Sequence, residues 1–589
     1  MRAEAETSGR GERAVGRWRR PALGAPACAL VLALCWLAWP AAAPAVTDAA
    51  GRPAEQARTA APLQLLRAEA GGTYRPLEPV ATELHITANG PIARSRLRQT
   101  YAALPAGTGD LLLRLAAPPH LEVDSITVRS GEQLLKTRVA LRRLPPPAGD
   151  AARVQSFSLP ALAPGQKVSI EIGYGEELHF LDGAFVLEAP AWAAHYDHLA
   201  ASIDAGLPIA EVTSRSHEVK VIADGTSAIY VVPQRPRPGA ATGLHLAWRA
   251  DTGRSARFGV FTETKDGFDH VLLTVMPPSE PRGTAEDALR HARQLLFILD
   301  ARAGMDRETL RQIGAQVLAA LGRLGTSDSF NLVAAGRGTR QLFEYASAVN
   351  GDTLSAARTF LAGLAPDGET APLRVLARLA RELAPSSFRQ IVVVGDLGED
   401  EEALAELRAA QGGNRLFFAA IGAASPLPAL ARTARLTRGQ LDLAAEAQDL
   451  PRTLEQMLRR IERPILVDIL ARWPEDLAAD AFPHPVPDLY ADAPVAVAAR
   501  LQGSAGPGAM VEITGSMPGR FWRGLVGLDQ GRAARGIAKR WAHERLDALT
   551  LAEAEGFSAE VREQVSSDTA LRYGLISDYT SLVSETPSR

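Results

Sequence analysis

Cysteine is nearly absent from this chain. Its 589 residues include two, Cys28 and Cys35, and both lie in the apolar N-terminal segment, so a chain cleaved after that segment has no disulfide and no thiolate chemistry. An exported protein of this length without disulfides has to rest on its hydrophobic cores. A basic excess is missing as well. The formal net charge is -3, and removing residues 1–45, with six Arg and three Glu, leaves 58 basic against 64 acidic side chains. Such a chain has no electrostatic footprint for nucleic acid. No G-x-S-x-G elbow, P-loop or dinucleotide fingerprint is present, and no nucleophile and base emerge as a pair. The expectation is therefore a non-enzymatic protein, with a metal-dependent enzyme as the remote alternative. The histidines form no ligand set: His195-Tyr196-Asp197-His198 holds the one close pair and lacks a third ligand.

Arg2, Arg10, Arg13, Arg17, Arg19 and Arg20 precede an apolar stretch from Leu23 to Trp39, and Ala43-Pro44-Ala45 follows it. A basic region, a short apolar region and a small-x-small site together read as a secretory signal peptide cut after Ala45. The competing reading is an uncleaved anchor, in which residues 23–39 contact the membrane at the lower edge of a spanning length. Arg19-Arg20 raises a twin-arginine export route. Either way the protein is expected to be exported, to the periplasm, the cell envelope or the medium.

Six segments are expected: a signal peptide or anchor over 1–45, a linker over 46–63, a β domain over 64–190, a strand-rich connector over 191–290, an α/β domain over 291–462 and a mixed C-terminal region over 463–589. In the β domain Leu84, Ile86 and Ala88 alternate with polar neighbours, as do Leu97, Gln99 and Tyr101, then Val168, Ile170, Ile172 and Tyr174. This period of two between Asn89-Gly90-Pro91 and Pro164-Gly165 turns argues for an antiparallel sandwich with one buried face per sheet. The run Val80–Ile86, through Pro91-Ile92-Ala93 to Gln99-Thr100-Tyr101, together with the closing strand Leu162–Tyr174, resembles a VIT domain, the vault and inter-alpha-trypsin inhibitor heavy-chain module. The connector, which includes Val271–Met276, is expected to pack on both of its neighbours.

From 291 the pattern changes to short apolar strands, Leu295–Leu299, Phe330–Ala334, Ile391–Val394 and Leu416–Ile421, separated by helical stretches such as 308–324 and 373–383. Strand and helix alternation with strands apolar on both faces implies a doubly wound parallel sheet, whose ligands sit at the carboxyl ends of the strands. The tail offers strands near Ile465–Ala471 and Val495–Leu501, the motif Val486-Pro487-Asp488-Leu489-Tyr490, a helix over 537–549 and the ending Leu571–Val583. That ending resembles the close of bacterial proteins combining VIT with von Willebrand factor type A (VWA) modules, among them marine proteobacterial sortase targets. Their sortase signal is not matched here, since Leu450-Pro451-Arg452-Thr453-Leu454 is internal and lacks the final Gly.

Immediately after Leu299 the chain reads Asp300-Ala301-Arg302-Ala303-Gly304, which resembles the Asp-x-Ser-x-Ser metal loop of a VWA domain with both Ser positions replaced. The resemblance implies a hard divalent cation held by oxygen ligands from three loops. Matched residue by residue, Asp300, Thr370 and Asp396 remain as metal ligands, while Arg302 and Gly304 stand where Ser would be. Arg302 is expected to take the cation's place and pair with Asp300 and Asp396, because a planar guanidinium can bridge two carboxylates. The alternatives are that Arg302 points to solvent while the two Asp cap helices, or that Mg²⁺ still binds. No cofactor is expected otherwise. The acidic run Gly398–Glu402 reads as surface charge at a helix start, and Trp192, Trp248, Trp473, Trp522 and Trp541 as core anchors. The function implied is protein–protein interaction, adhesion or scaffolding at the envelope through the surface around Asp300, Arg302, Gly304, Thr370 and Asp396. The alternative is a membrane-anchored accessory protein whose VWA domain is purely structural.

Overall fold

The structure is a computed structural model that describes residues 62–584 except 70–72, 105–110, 117, 119–120, 142–153, 160–161, 163–164, 193–195, 239–242, 280–290, 383–387, 399, 410–412, 423–426 and 552–557. The expected signal segment with residues 23–39, almost all of the expected linker, and His195 lie outside the described residues.

A nine-stranded sheet dominates the N-terminal half. Its order is His217–Ala223, Ala228–Pro236, His198–Asp204, Pro79–Asn89, Ile92–Tyr101, Val168–Glu177, Glu122–Ser130, Gln133–Leu141 and Thr580–Ser584. The first partner pairs are antiparallel, as the period of two requires, but His198–Asp204 runs parallel to Pro79–Asn89. Two four-stranded sheets share its core: one centred on Leu63–Ala68 and Leu111–Ala116, the other on Ala184–Ala189 and Leu244–Ala250. Val168, Ile170, Ile172 and Tyr174 all point inward, where Tyr174 Oη accepts from the indole N–H of Trp192 at 3.1 Å. Trp192 and Trp248 are fully buried there.

The described strands of residues 191–290 form no sheet of their own. Their first strands complete the N-terminal sheets, while Arg257–Lys265 and Phe268–Met276 join Val495–Gln502, Ala478–Phe482 and Arg532–Ala533 in a five-stranded sheet. Main-chain pairing across positions 190 and 463 explains this: Leu273 faces Val497 in register, so hydrogen bonding outranks sequence proximity. The run Val271–Met276 is apolar throughout because Val271, Leu273 and Val275 face the C-terminal sheets while Leu272 faces the C-terminal helices.

The α/β domain places its strands in the order Gly338–Gln341, Ser329–Gly336, Gln294–Asp300, Arg389–Gly395, Asn414–Ile421 and Gln440–Ala444. All of these are parallel except the first, an antiparallel edge, and the short Ser347–Ala348, off this order, also pairs antiparallel with Ser329–Gly336. Helices cover both faces, giving two separate apolar cores. The helix expected over 308–324 runs Arg307–Leu321 and stops at Gly322, and Asp306 caps its start through Thr309 N at 2.8 Å. The sortase-like Leu450-Pro451-Arg452-Thr453-Leu454 opens the Leu450–Arg460 helix, with Leu450 and Leu454 in the core.

The C-terminal helix Ile537–Leu551 ties the parts together. Glu263 accepts from its first amides, Gly536 N at 3.0 Å and Ala538 N at 2.9 Å. Its Lys539 pairs with Asp124 of the nine-stranded sheet at 3.1 Å, its Arg540 with Glu177, and its Glu544 with Arg435 of the α/β domain. Beyond it Tyr573 packs at a tilt against Trp541 and its hydroxyl meets His270 Nε2 at 3.1 Å. Thr580–Ser584 then pairs with Gln133–Leu141, so the end of the chain closes the sheet begun near its start.

Candidate functional site

Asp300 ends the central strand of the parallel sheet, where the chain leaves Ala335 on one side and Val394 on the other. It is 2% exposed and its carboxylate receives four donors. Oδ1 accepts from Arg302 N at 3.1 Å and Arg302 Nε at 2.9 Å, while Oδ2 accepts from Arg302 Nη2 at 2.8 Å and Asp396 N at 3.1 Å. The spacing of two makes this possible, because in an extended turn Arg302 can fold its side chain back on Asp300. Arg302 Nη2 also donates to the carbonyl oxygen of Asp396. These hydrogen bonds to Asp300, foremost among several charges, hold the guanidinium even more firmly protonated than usual.

Backbone geometry sets the rest of the cluster. Gly395 has φ of 150°, and a Cβ there would lie 2.1 Å from the Asp300 Cβ, so only glycine lets the neighbouring strand end pass over the carboxylate. Gly336 is equally constrained, its virtual Cβ lying 2.6 Å from Ala301 O and 2.7 Å from Asp367 O. Around it Asp367 N donates to Ala301 O at 2.9 Å, Ala303 N to Gly368 O at 3.0 Å and Thr370 N to Gly336 O at 3.1 Å. The three loops are thereby locked to one another by main-chain hydrogen bonds.

The expected pairing of Arg302 with two carboxylates takes a different form. Asp300 is gripped in bidentate fashion, but Asp396 contributes its main-chain N–H and carbonyl, and its side chain is exposed. Turning at Gly395 presents the Asp396 backbone, not its carboxylate, to the site. Thr370 is half-buried at the same end of the sheet, and Gly304 is exposed with open space beside it. This donor set does not fit a hard divalent cation as folded. A carboxylate has about four lone-pair sites, and all four of Asp300 are taken, two by a cation already present. Among the described residues no group of three or more His, Cys, Asp or Glu side chains is placed to hold a metal.

The remaining sequence candidates have local roles. Asp197 Oδ2 accepts from Thr82 N at 2.8 Å, Tyr196 Oη accepts from Trp192 N at 3.0 Å, and His198 lies against His85. Asp400 caps the helix Glu401–Ala409 through Ala403 N at 3.1 Å. Trp541 is buried, whereas Trp473 and Trp522 are half-buried at the edge of the C-terminal core.

Two features escaped the sequence reading. Arg337, at the tip of the strand next to Asp300, pairs with Asp367 at 3.3 Å and adds an exposed cation to the loop surface. The second is a cavity of about 1200 Å³ between the N-terminal sheets, the α/β domain and the C-terminal helices, with Leu115, Phe180, Met276, Arg435 and His543 in its wall. Glu176 lines it, next inward-facing position after Tyr174, and its Oε1 is buried with no hydrogen-bond partner. Burial, with the nearby Glu188 charge second, pushes its carboxyl up to about 7. An inward-facing Glu continuing an apolar alternation was the signal that could have revealed it.

Among solved structures the chain is similar to a von Willebrand factor type A protein from Catenulispora acidiphila, with 16% identity over 55% of this chain and 88% of that one at a TM-score of 0.38. It is also similar to the ArnB paralog VWA2 from Sulfolobus acidocaldarius, with 12% identity over 54% and 90% of the two chains at a TM-score of 0.36. Protein mono-ADP-ribosyltransferase PARP4 of Mus musculus is 23% identical over 305 residues, which is 50% of this chain and 15% of that protein, so the match spans a small part of the relative. Residues 293–443 match the von Willebrand factor type A domain, and the parallel sheet that ends in Asp300 is such a domain.

Proposed function

We propose that this protein is an exported, non-enzymatic interaction or scaffold protein of the cell envelope, and that it docks protein partners on the top of its VWA sheet without a metal ion. The observation that carries this reading is the filled coordination of Asp300. The guanidinium of Arg302 lies on the carboxylate that a divalent cation would need, through Nε and Nη2. VWA domains commonly mediate protein–protein interaction, and a fixed cation at the strand ends keeps positive charge where a partner's acidic group can meet it. Fold alone does not assign function, so the reading rests on this site. The N-terminal sheets are a VIT-like module in this proposal, the chain is similar in architecture to the bacterial VIT plus VWA proteins, and residues 1–45 direct export.

Pull-down from envelope extracts with the full chain, in Mg²⁺ and in chelator, tests the proposal. Equal recovery of the same partner under both conditions, lost in Arg302→Ala, supports it. Recovery that requires Mg²⁺, or that persists unchanged in Arg302→Ala, overturns it.

A further inference from the structure

The sheet formed by Leu489–Tyr490, Pro464–Arg472, Met510–Met517 and Arg520–Gly527 has one face in the C-terminal core, while the other packs on the α/β domain at Val467 and Tyr490 and opens to solvent toward Arg520–Gly527. Register identifies the outer face. Leu470 lies opposite Thr514, which lies opposite Arg523; Arg472 lies opposite Glu512, which lies opposite Leu525; Phe521 lies opposite Ser516. Directly opposed residues share a face, so Leu470, Arg472, Met510, Glu512, Phe521, Arg523 and Leu525 stand together. Phe521 is 71% exposed, Leu525 53%, Leu470 49% and Met510 41%. Large apolar side chains gathered on one surface mark an interaction site. Moreover, Arg520–Gly527 is the last strand of its sheet, and among the described residues no strand pairs with its outer edge.

We infer that this edge is a docking strip for an extended segment of a partner protein, which adds as a further strand with the pattern apolar-x-acidic-x-apolar. Its apolar residues cover Phe521 and Leu525, and its Asp or Glu meets Arg523. Glu512 engages Arg523 through Nε, and with 58% of the Arg523 side chain exposed the outer guanidinium nitrogens remain for an incoming carboxylate. Arg472 shares Glu512 at 3.8 Å, so the face carries one cation in excess. Strand addition is favoured over the alternatives on physical grounds. At a lipid surface the open edge would lose water from its N–H and C=O groups without gaining partners. In a second copy, antiparallel pairing centred on Arg523 would set two arginines opposite each other. An extended peptide satisfies both the main chain and the charge.

Fluorescence anisotropy of the full chain with labelled ten-residue peptides tests this inference independently of the VWA site. Three probes serve: one alternating threonine with isoleucine, glutamate, isoleucine; the same with lysine for glutamate; and the glutamate probe N-methylated at alternate amides. Binding of the glutamate probe is expected, at least tenfold weaker after methylation and in Arg523→Glu, whose preference turns to the lysine probe, with Arg302→Ala unchanged. Arg523 is exposed, and an unaltered melting temperature in Arg523→Glu keeps the comparison sound. The inference is overturned if the glutamate probe does not bind, if methylation or Arg523→Glu leaves binding intact, or if Phe521→Ser instead abolishes a dimer in sedimentation or uptake by phosphatidylglycerol vesicles.

Discussion

Gly395 passes so close above Asp300 that a single added methyl would overlap its side chain, the virtual Cβ lying 2.1 Å from the Asp300 Cβ and 2.7 Å from Oδ2. Gly395→Ala must therefore move either the strand end or the carboxylate, and it also forces an L residue to φ of 150°. A loss of about 3 kcal/mol is expected from strain and broken hydrogen bonds together. Gly304→Ala is the matched control, because its added Cβ meets nothing within 4 Å, and it should stay within about 0.5 kcal/mol of the parent. Urea unfolding of both variants measures the contrast, and equal losses would remove the packing argument.

Arg302 and Asp300 make the second case. Removing the guanidinium in Arg302→Ala leaves a carboxylate that is 2% exposed with backbone donors alone. Breaking a fully buried pair costs about 3–5 kcal/mol; here the Arg302 side chain is 28% exposed, so about 2 kcal/mol is expected. Arg302→Ser combined with Gly304→Ser introduces two hydroxyl ligands and frees one lone-pair site on each of Oδ1 and Oδ2, the backbone donors staying in place. That double variant should gain thermal stability with Mg²⁺, by about 2.7 kcal/mol at a hundredfold excess over Kd, whereas the parent should not respond. A metal-induced shift in the parent would contradict the filled site.

The parts of this site that the sequence revealed are those carried by side-chain type and short spacing. Leu295–Leu299 is apolar at every position because the strand is covered on both faces, and Arg302 two residues beyond Asp300 can reach back within one turn. What stayed hidden depends on backbone path. Nothing in Gly395-Asp396-Leu397 announces that Asp396 offers its carbonyl instead of its carboxylate, since that follows from one φ angle. Strand partners from distant segments were equally silent: the apolar run Val271–Met276 does not announce that it will pair with Val495–Gln502, nor the ending Leu571–Val583 that Thr580–Ser584 will pair with Gln133–Leu141.

Arg415 and Asp488 illustrate the same limit and give a third prediction. Asp488, the centre of the Val486–Tyr490 motif, is fully buried and accepts from Arg415 Nε at 2.8 Å and from Asp468 N at 2.8 Å. The pair fastens the VWA strand Asn414–Ile421 to the C-terminal sheet. Asp488→Ala leaves the Arg415 cation with Asp468 as its remaining carboxylate and should cost about 3–5 kcal/mol. Arg415→Met with Asp488→Leu should recover part of that, and part alone, because the Asp468 amide still loses its acceptor. Chemical denaturation of Arg415→Met, Asp488→Leu and the double variant resolves the coupling, and additive losses would show the pair to be independent.

Glu176 supplies the pH dependence. Its carboxyl, ordinarily at 4.5, is pushed up to about 7 by burial and then by Glu188, so the folded protein holds a proton that the unfolded chain has released. A raised carboxyl pKa means that stability is highest below about pH 4.5, falls as pH rises toward 7 and levels off above it. Glu176→Gln cannot ionise and should lose this slope. Relative to the parent it should be more stable by about 2 kcal/mol at pH 7.5 and nearly equal at pH 4.5. Other groups titrate in the same window, so the quantity to measure is the difference between variant and parent across that range by urea unfolding. Glu188→Gln, which removes the second cause, should shift the parent's decline to lower pH. A variant-minus-parent difference that stays constant from pH 4.5 to 7.5 would show that Glu176 is charged in the folded protein throughout, and that the cavity beside it already supplies the partner its Oε1 lacks.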